Sequence, residues 1–174
     1  MRTYRTRNSG FTLVEILIVV IILGILAAIV IPQFTSASQD ARKNSLVSQL
    51  QTIRSQIELY KLQHKDQLPT SLGSGTNDWA EMLKQTDADQ NDYVAGTSTT
   101  GPFGPYLQQE PVNPLNSYSA VGSVTTDPTL GGANPVSGNV GWIVNTTNGK
   151  VFATSAKLGY VYNEADPTDP NNDL

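Results

Sequence analysis

The chain has no cysteine and a single histidine, His64, among 174 residues. The first absence excludes a disulfide scaffold, a zinc ribbon and a thiol nucleophile. The second leaves any histidine-dependent triad or histidine-rich metal site resting on one imidazole within a helical pattern, where a packed side chain or a partner of the helix C-terminus is the better reading. Charge is also scarce, at 15% of residues, and the formal net charge is −4. An acidic balance disfavours direct binding to nucleic-acid phosphates. There is no phosphate-cradling glycine loop and no pair of carboxylates at catalytic spacing, so an enzyme reading has no residues to stand on. The length fits one ordinary domain plus a small extra segment.

The little charge there is lies unevenly. Residues 1–10 hold Arg2, Arg5 and Arg7 and no acid, whereas the 21 residues from 11 to 31 carry one charge, Glu15. As a helix at about 1.5 Å per residue that stretch is roughly 31 Å long, enough to cross the hydrocarbon core of a bilayer. The three arginines then stay cytoplasmic and everything beyond the span is extracytoplasmic. Three readings compete: a cleaved signal peptide, a passive anchor, and a span later withdrawn into a polymer. A carboxylate inside an apolar span costs roughly 2.5–3.5 kcal/mol on insertion scales, which neither of the first two has a reason to retain. The small residues Ala27, Ala28, Ala37 and Ser38 fall too far along the apolar run for conventional signal cleavage.

The run Gly10-Phe11-Thr12-Leu13-Val14-Glu15, behind a short basic leader and ahead of an apolar helix, resembles the N-terminal motif of type IV pilins and type II secretion pseudopilins. The resemblance covers about residues 5–40. It implies that a prepilin peptidase cuts between Gly10 and Phe11 and methylates the new N-terminus at Phe11, making Glu15 the fifth mature residue. Pro32 falls where many members have a proline. It further implies a filament built from copies of this chain or with other pilins and pseudopilins. The precursor would sit in the inner membrane as a single-pass protein with its head outside the cytoplasm, served by an inner-membrane assembly platform. The assembled form would be a periplasmic pseudopilus or an extracellular filament. The segment Gly104-Pro105-Tyr106-Leu107, followed by Pro111 and Pro114, resembles the loop of major pseudopilins. Leu115 stands where tryptophan is common there, and the Asp-Gly calcium loop of many major members is not present. Surface pilins often close a C-terminal loop with a disulfide, which favours the pseudopilin of a secretion apparatus. A surface pilin for adhesion, motility or DNA uptake, and a monomeric membrane-anchored protein, are the alternatives. In either filament, the carboxylate of Glu15 is placed to neutralise the Phe11 amine of a neighbour and so set the register.

Beyond the span, Leu46, Leu50, Ile53, Ile57 and Tyr60 recur at spacings of 4, 3, 4 and 3, which predicts an amphipathic helix ended by Pro69. Pro32 and Gly24 predict a kink or a melted stretch within the helical segment. From Leu68 onward come nine of the ten prolines and twelve of the fourteen glycines. The expected division is a leader at 1–10, a transmembrane and assembly helix at 11–32, an amphipathic helix at 33–68 and a loop-rich head at 69–174.

Within the head, Asp78-Trp79-Ala80-Glu81 reads as a capping box opening a short helix. Residues 140–154 read as a β-hairpin turning at Asn148-Gly149, with Val144 opposite Ala153 and Thr146 opposite Val151, and with Trp142, Val144, Val151 and Ala153 on the inner face. Residues 157–162 are expected to add a third antiparallel strand. The predicted class is α+β: a long N-terminal helix packed on a small antiparallel sheet with long loops. Asp87, Asp89 and Asn91 open like an EF-hand loop, but Asp92 replaces the turn glycine and Ser98 the bidentate glutamate. A solvated acidic loop is the preferred reading there, with Ca²⁺ the alternative, as it is for Asp166, Asp169 and Asp173; no cofactor is expected.

Overall fold

A computed structural model describes residues 10–75 and 77–173. The element order is α1 (Leu13–Gln63), α2 (Ala80–Leu83), β1 (Val121–Val124), β2 (Trp142–Asn145) and β3 (Val151–Ala153), an α+β chain. Two compact units are present, Met1–Ala41 and Arg42–Leu174.

In the first unit α1 begins at Leu13 and continues helically through Gly24 and Pro32, so the melted alternative does not occur. Pro32 supplies no N–H. Nearby, the hydroxyls of Thr35 and Ser36 donate back to the carbonyls of Ile31 (3.2 Å) and Pro32 (3.3 Å), a pattern that tends to bend a helix.

The core of the second unit is built on the predicted stripe. Leu46, Leu50, Ile53, Ile57 and Tyr60 are all at most 1% exposed. They pack with Trp142 and Val144 of β2 and Val151 and Ala153 of β3, joined by Trp79, Met82 and Tyr162. β2 is central in the order β1-β2-β3 and is buried on both faces. Its other face sets Ile143 with Phe152 and Val161, flanked by Val124, Leu130, Val136 and Val140.

The sheet is mixed rather than wholly antiparallel, because β1 runs parallel to β2. Its Val121-Gly122-Ser123-Val124 sequence is short and contains a glycine, a weak strand signal. That glycine is required: a Cβ on Gly122 would lie 2.4 Å from a methyl of Val136. The expected third strand at 157–162 is reduced to two isolated antiparallel bridges, Val161 with Thr154 and Tyr160 with Ala133. The chain reverses too tightly for more, with Ser155 Oγ donating to the Lys157 carbonyl at 2.7 Å and Gly159 at a φ of +85°.

The hairpin forms with a register two residues from the expected one, pairing Val144 with Val151 and Trp142 with Ala153. A type I′ turn needs positive φ at both central residues. Gly149 has it, at +79°, and Asn148 does not, so the loop lengthens and closes through Asn145 instead. Since side chains alternate with a period of two, a shift of two leaves the same residues on the inner face.

The capping box also differs. Trp79 occupies the N-cap of α2 with no side-chain cap. Asp78 instead accepts from Val121 N (2.8 Å) and Gly75 N (2.9 Å), tying the α1–α2 connection to β1. Glu81 is buried, accepting from Thr70 N (2.6 Å) and the Tyr60 hydroxyl (3.2 Å). Such a carboxylate is tolerable inside because donors surround it. His64 is a packed core residue, stacked on Tyr60 with ring centroids 3.8 Å apart. Its Nδ1 lies 2.8 Å from the Tyr60 carbonyl, which only accepts, so Nδ1 donates there, and Nε2 lies 2.9 Å from the Thr86 hydroxyl.

The proline-rich segment is ordered by buried polar contacts. Asn113, 0% exposed, donates to the carbonyls of Gly141 and Thr154, and Met82 O accepts from both Tyr106 N and Leu107 N. Trp142 adds its indole N–H to the Pro111 carbonyl at 2.9 Å.

Trp142→Ala removes a fully buried ring and this hydrogen bond, for an expected cost of about 3–5 kcal/mol. Lys150→Ala, which loses an exposed ion pair to Asp127, is expected to cost about 1 kcal/mol or less. Urea unfolding of a soluble fragment beginning at residue 39 checks the ranking; equal costs would mean that the sheet's other face covers α1.

Candidate assembly and processing site

The candidate cleavage residues Gly10 and Phe11 precede the helix in an open stretch. Gly10 is exposed with no atom within 4 Å of where a Cβ would sit, and Phe11 is 80% exposed. Such an uncovered, non-helical segment is one in which main-chain atoms can be reached from outside. The arginines of the leader, Arg2, Arg5 and Arg7, lie outside the described residues.

Glu15 stands in the first turn of α1 and its carboxylate folds back on Thr12. Glu15 Oε2 accepts from both the backbone N–H and the hydroxyl of Thr12 at 3.2 Å, while Thr12 Oγ1 accepts from Glu15 N at 3.2 Å. This is a reciprocal capping box, and the carboxylate also faces the positive end of the helix dipole. The sequence reading placed a capping box at Asp78 and missed this one, although Thr12-Leu13-Val14-Glu15 carries the S/T-x-x-E signal.

From Leu13 to Ile31 every large apolar side chain is at least 40% exposed, and the most apolar 18-residue window of α1 has a mean hydropathy of 3.3. A continuous apolar surface of this extent is stable only against lipid or against other helices. Glu15 is the one acid among these residues.

The candidate cation ligands are engaged by donors of the protein itself. Asp87 Oδ1 accepts from Asp89 N (2.9 Å) and Asn91 N (3.0 Å), and Asp89 pairs with Lys65. In the tail, Asp166 accepts from Thr168, Asp169 from Asn163 and Asn171, and Asp173 pairs with Lys43 at 2.7 Å. Among the described residues no three His, Asp or Glu side chains gather as a metal-binding group.

A carboxylate the sequence reading overlooked, Asp127, clasps the β2–β3 loop. Lys150, Asn148 and Asn145 all donate to it, and these hydrogen bonds hold its carboxyl down at about 2.

Residues 5–31 match the Prokaryotic N-terminal methylation motif. The chain is also similar to curated proteins named type II secretion system core protein G. It is 39% identical over 69 residues to that of Dickeya chrysanthemi, covering 40% of this chain and 45% of the relative. To the Pseudomonas aeruginosa protein it is 45% identical over 58 residues, covering 33% and 41%. To that of Vibrio cholerae it is 30% identical over 90 residues, covering 52% and 59%. The chain thus spans about half the length of the curated relatives it matches. No solved structure matches it.

Asp127 provides a pH test. A carboxyl held at about 2 when folded, against an ordinary value of 3.8, stabilises the fold fully above the ordinary value and loses that contribution as pH falls through about 2. Asp127→Asn is therefore expected to lower the urea midpoint at pH 7, with the gap to the native chain narrowing between pH 4 and pH 2 in the residue-39 fragment. A gap that stays constant across that range would contradict the clasp.

Proposed function

We propose that this chain is a structural, non-catalytic subunit of a pseudopilus in a type II secretion system, polymerising through its N-terminal helix to help drive protein export. The observation that carries the reading is a single carboxylate, Glu15, at the head of an otherwise apolar, uncovered helix directly after a Gly-Phe junction. The methylation motif over residues 5–31 and the similarity to core protein G support it.

Maturation by a prepilin peptidase removes residues 1–10 with three arginines, taking the formal side-chain charge from −4 to −7. Phe11 then bears the new amine, the site of N-methylation. In the precursor, Glu15 is satisfied by Thr12. In the filament it turns to the Phe11 amine of a neighbouring subunit, a pair whose strength in a low-dielectric surrounding makes it a register key. Gly24, within the span, and Pro32, at its end, are the positions at which the helix bends. The precursor resides in the inner membrane with its head on the periplasmic side, and its partners are other copies, other pseudopilins and the inner-membrane assembly platform. No bound cation or nucleic acid is part of this reading.

Two measurements test it. Intact-mass analysis of assembled material is expected to show Phe11 as a methylated N-terminus; retained Met1 or cleavage near Ala37 would overturn the processing. Glu15→Val is expected to insert into membranes as well as the native chain or better, because a buried charge is gone, while sheared filament yield falls sharply. Native filament yield from that variant would remove Glu15 from its assigned role.

A further inference from the structure

Charge in the folded unit is almost entirely used up. Of the eight lysines and arginines among the described residues, six are in ion pairs and Lys157 hydrogen-bonds Asn171. The eighth, Arg42, is exposed with no partner. Only two carboxylates among the described residues lack a hydrogen bond or ion pair, Asp40 and Glu110, and Glu110 borders a cavity.

That cavity is a groove of about 350 Å³ between α1 at Ser48, Gln49, Thr52 and Ile53 and the loop at 107–112. Inside it, Gln49 Oε1 is cut off from solvent and has no hydrogen-bond donor. Neither amide atom of Gln49 is engaged in a hydrogen bond, so a turn of the carboxamide breaks none. A buried acceptor beside an exposed carboxylate asks for a ligand with several N–H donors in one plane and a positive charge. A guanidinium has five such donors and meets carboxylates with two bonds at once.

We propose that Arg42 of a second copy of this chain docks in the groove, bonding Glu110 and Gln49, and that this contact joins successive heads. The inference rests on the polymer reading above and adds the surface by which heads meet. Arg42 of the same copy is poorly placed for the task. It lies seven residues before Gln49, about 10 Å along the axis, and helical side chains lean toward the N-terminus, away from the groove. The two halves of the contact are different surfaces, so the interface is heterologous, and a heterologous interface that does not close into a ring propagates as an open helical array. That is the symmetry a filament needs.

The absence of cysteine makes the test clean. Arg42→Cys and Glu110→Cys are introduced into the full chain, together and singly, in cells that assemble the native protein. Arginine and glutamate are long, so the sites are bridged with a bis-maleimide of about 10 Å rather than by a disulfide, whose Cα atoms must lie within about 7 Å. The double variant is expected to give a ladder of covalent multimers, each single variant monomers, and the two singles co-expressed a dimer. A double variant that yields only a faster-migrating monomer, or filaments that do not cross-link, overturns the contact while leaving the polymer intact.

A second arm uses charge. Arg42→Glu and Glu110→Arg alone are each expected to lower filament yield roughly tenfold or more, and co-expression of the two, whose copies complement one another, to restore it. Native yield from either single variant overturns the proposal. Should the native chain form no filament at all, the polymer reading fails and this inference with it.

Discussion

The apolar face from Leu46 to Tyr60 is the constraint on which the head depends. It occupies one side of a helix, and nothing else in the second unit offers a surface long enough to nucleate on. A three-stranded sheet with strands of three and four residues would not stand alone. Laid against α1, β2 and β3 bury Trp142, Val144, Val151 and Ala153, and the loops that follow are fixed by polar groups reaching into that packing. Asn113, Asp78 and Arg54 are the fixing residues. Each satisfies backbone groups of a neighbouring segment that would otherwise be stranded out of water.

The first unit obeys a different constraint. It has no core of its own, and its apolar side chains face outward over their whole length. A chain of this kind is two solutions to one problem: a head that hides its apolar surface within itself, and a segment that must hide it in lipid or against its neighbours. Glu15 is the one acid between residues 11 and 31. Its capping box with Thr12 gives the carboxylate donors from its own turn of the helix, so the charge is held without any other group.

What was legible in the sequence follows from how far each signal reaches. The stripe was legible because a spacing of 4, 3, 4 and 3 has one geometric meaning. The inner face of the hairpin was legible for the same reason, since alternation survives a register shift of two. The register was not, because it turned on the φ of Asn148, which no local pattern determines. The parallel strand β1 was hidden because its glycine answers to Val136, a contact made across the fold. The acidic side chains were hardest to place. Asp78, Glu81 and Asp127 serve backbone or side-chain donors 11 to 43 residues away, and a sequence shows the acid without showing the donor. For the site, Gly10, Phe11 and Glu15 stood out through a motif, while the capping role of Thr12 was readable and was overlooked.

The open edge of β3 is sealed in an unusual way. Arg54 donates through Nε at 3.0 Å and through a terminal nitrogen at 2.6 Å to the Val151 carbonyl, and the same guanidinium holds Glu164 of the tail with two bonds of 2.6 and 2.8 Å. Tyr162 N then takes up the Ala153 carbonyl at 2.9 Å. An uncovered strand edge is a template on which any like strand can add. With the Val151 and Ala153 carbonyls occupied by a guanidinium and a tyrosine amide, a strand arriving from outside finds those acceptors already taken, and the sheet does not grow through them.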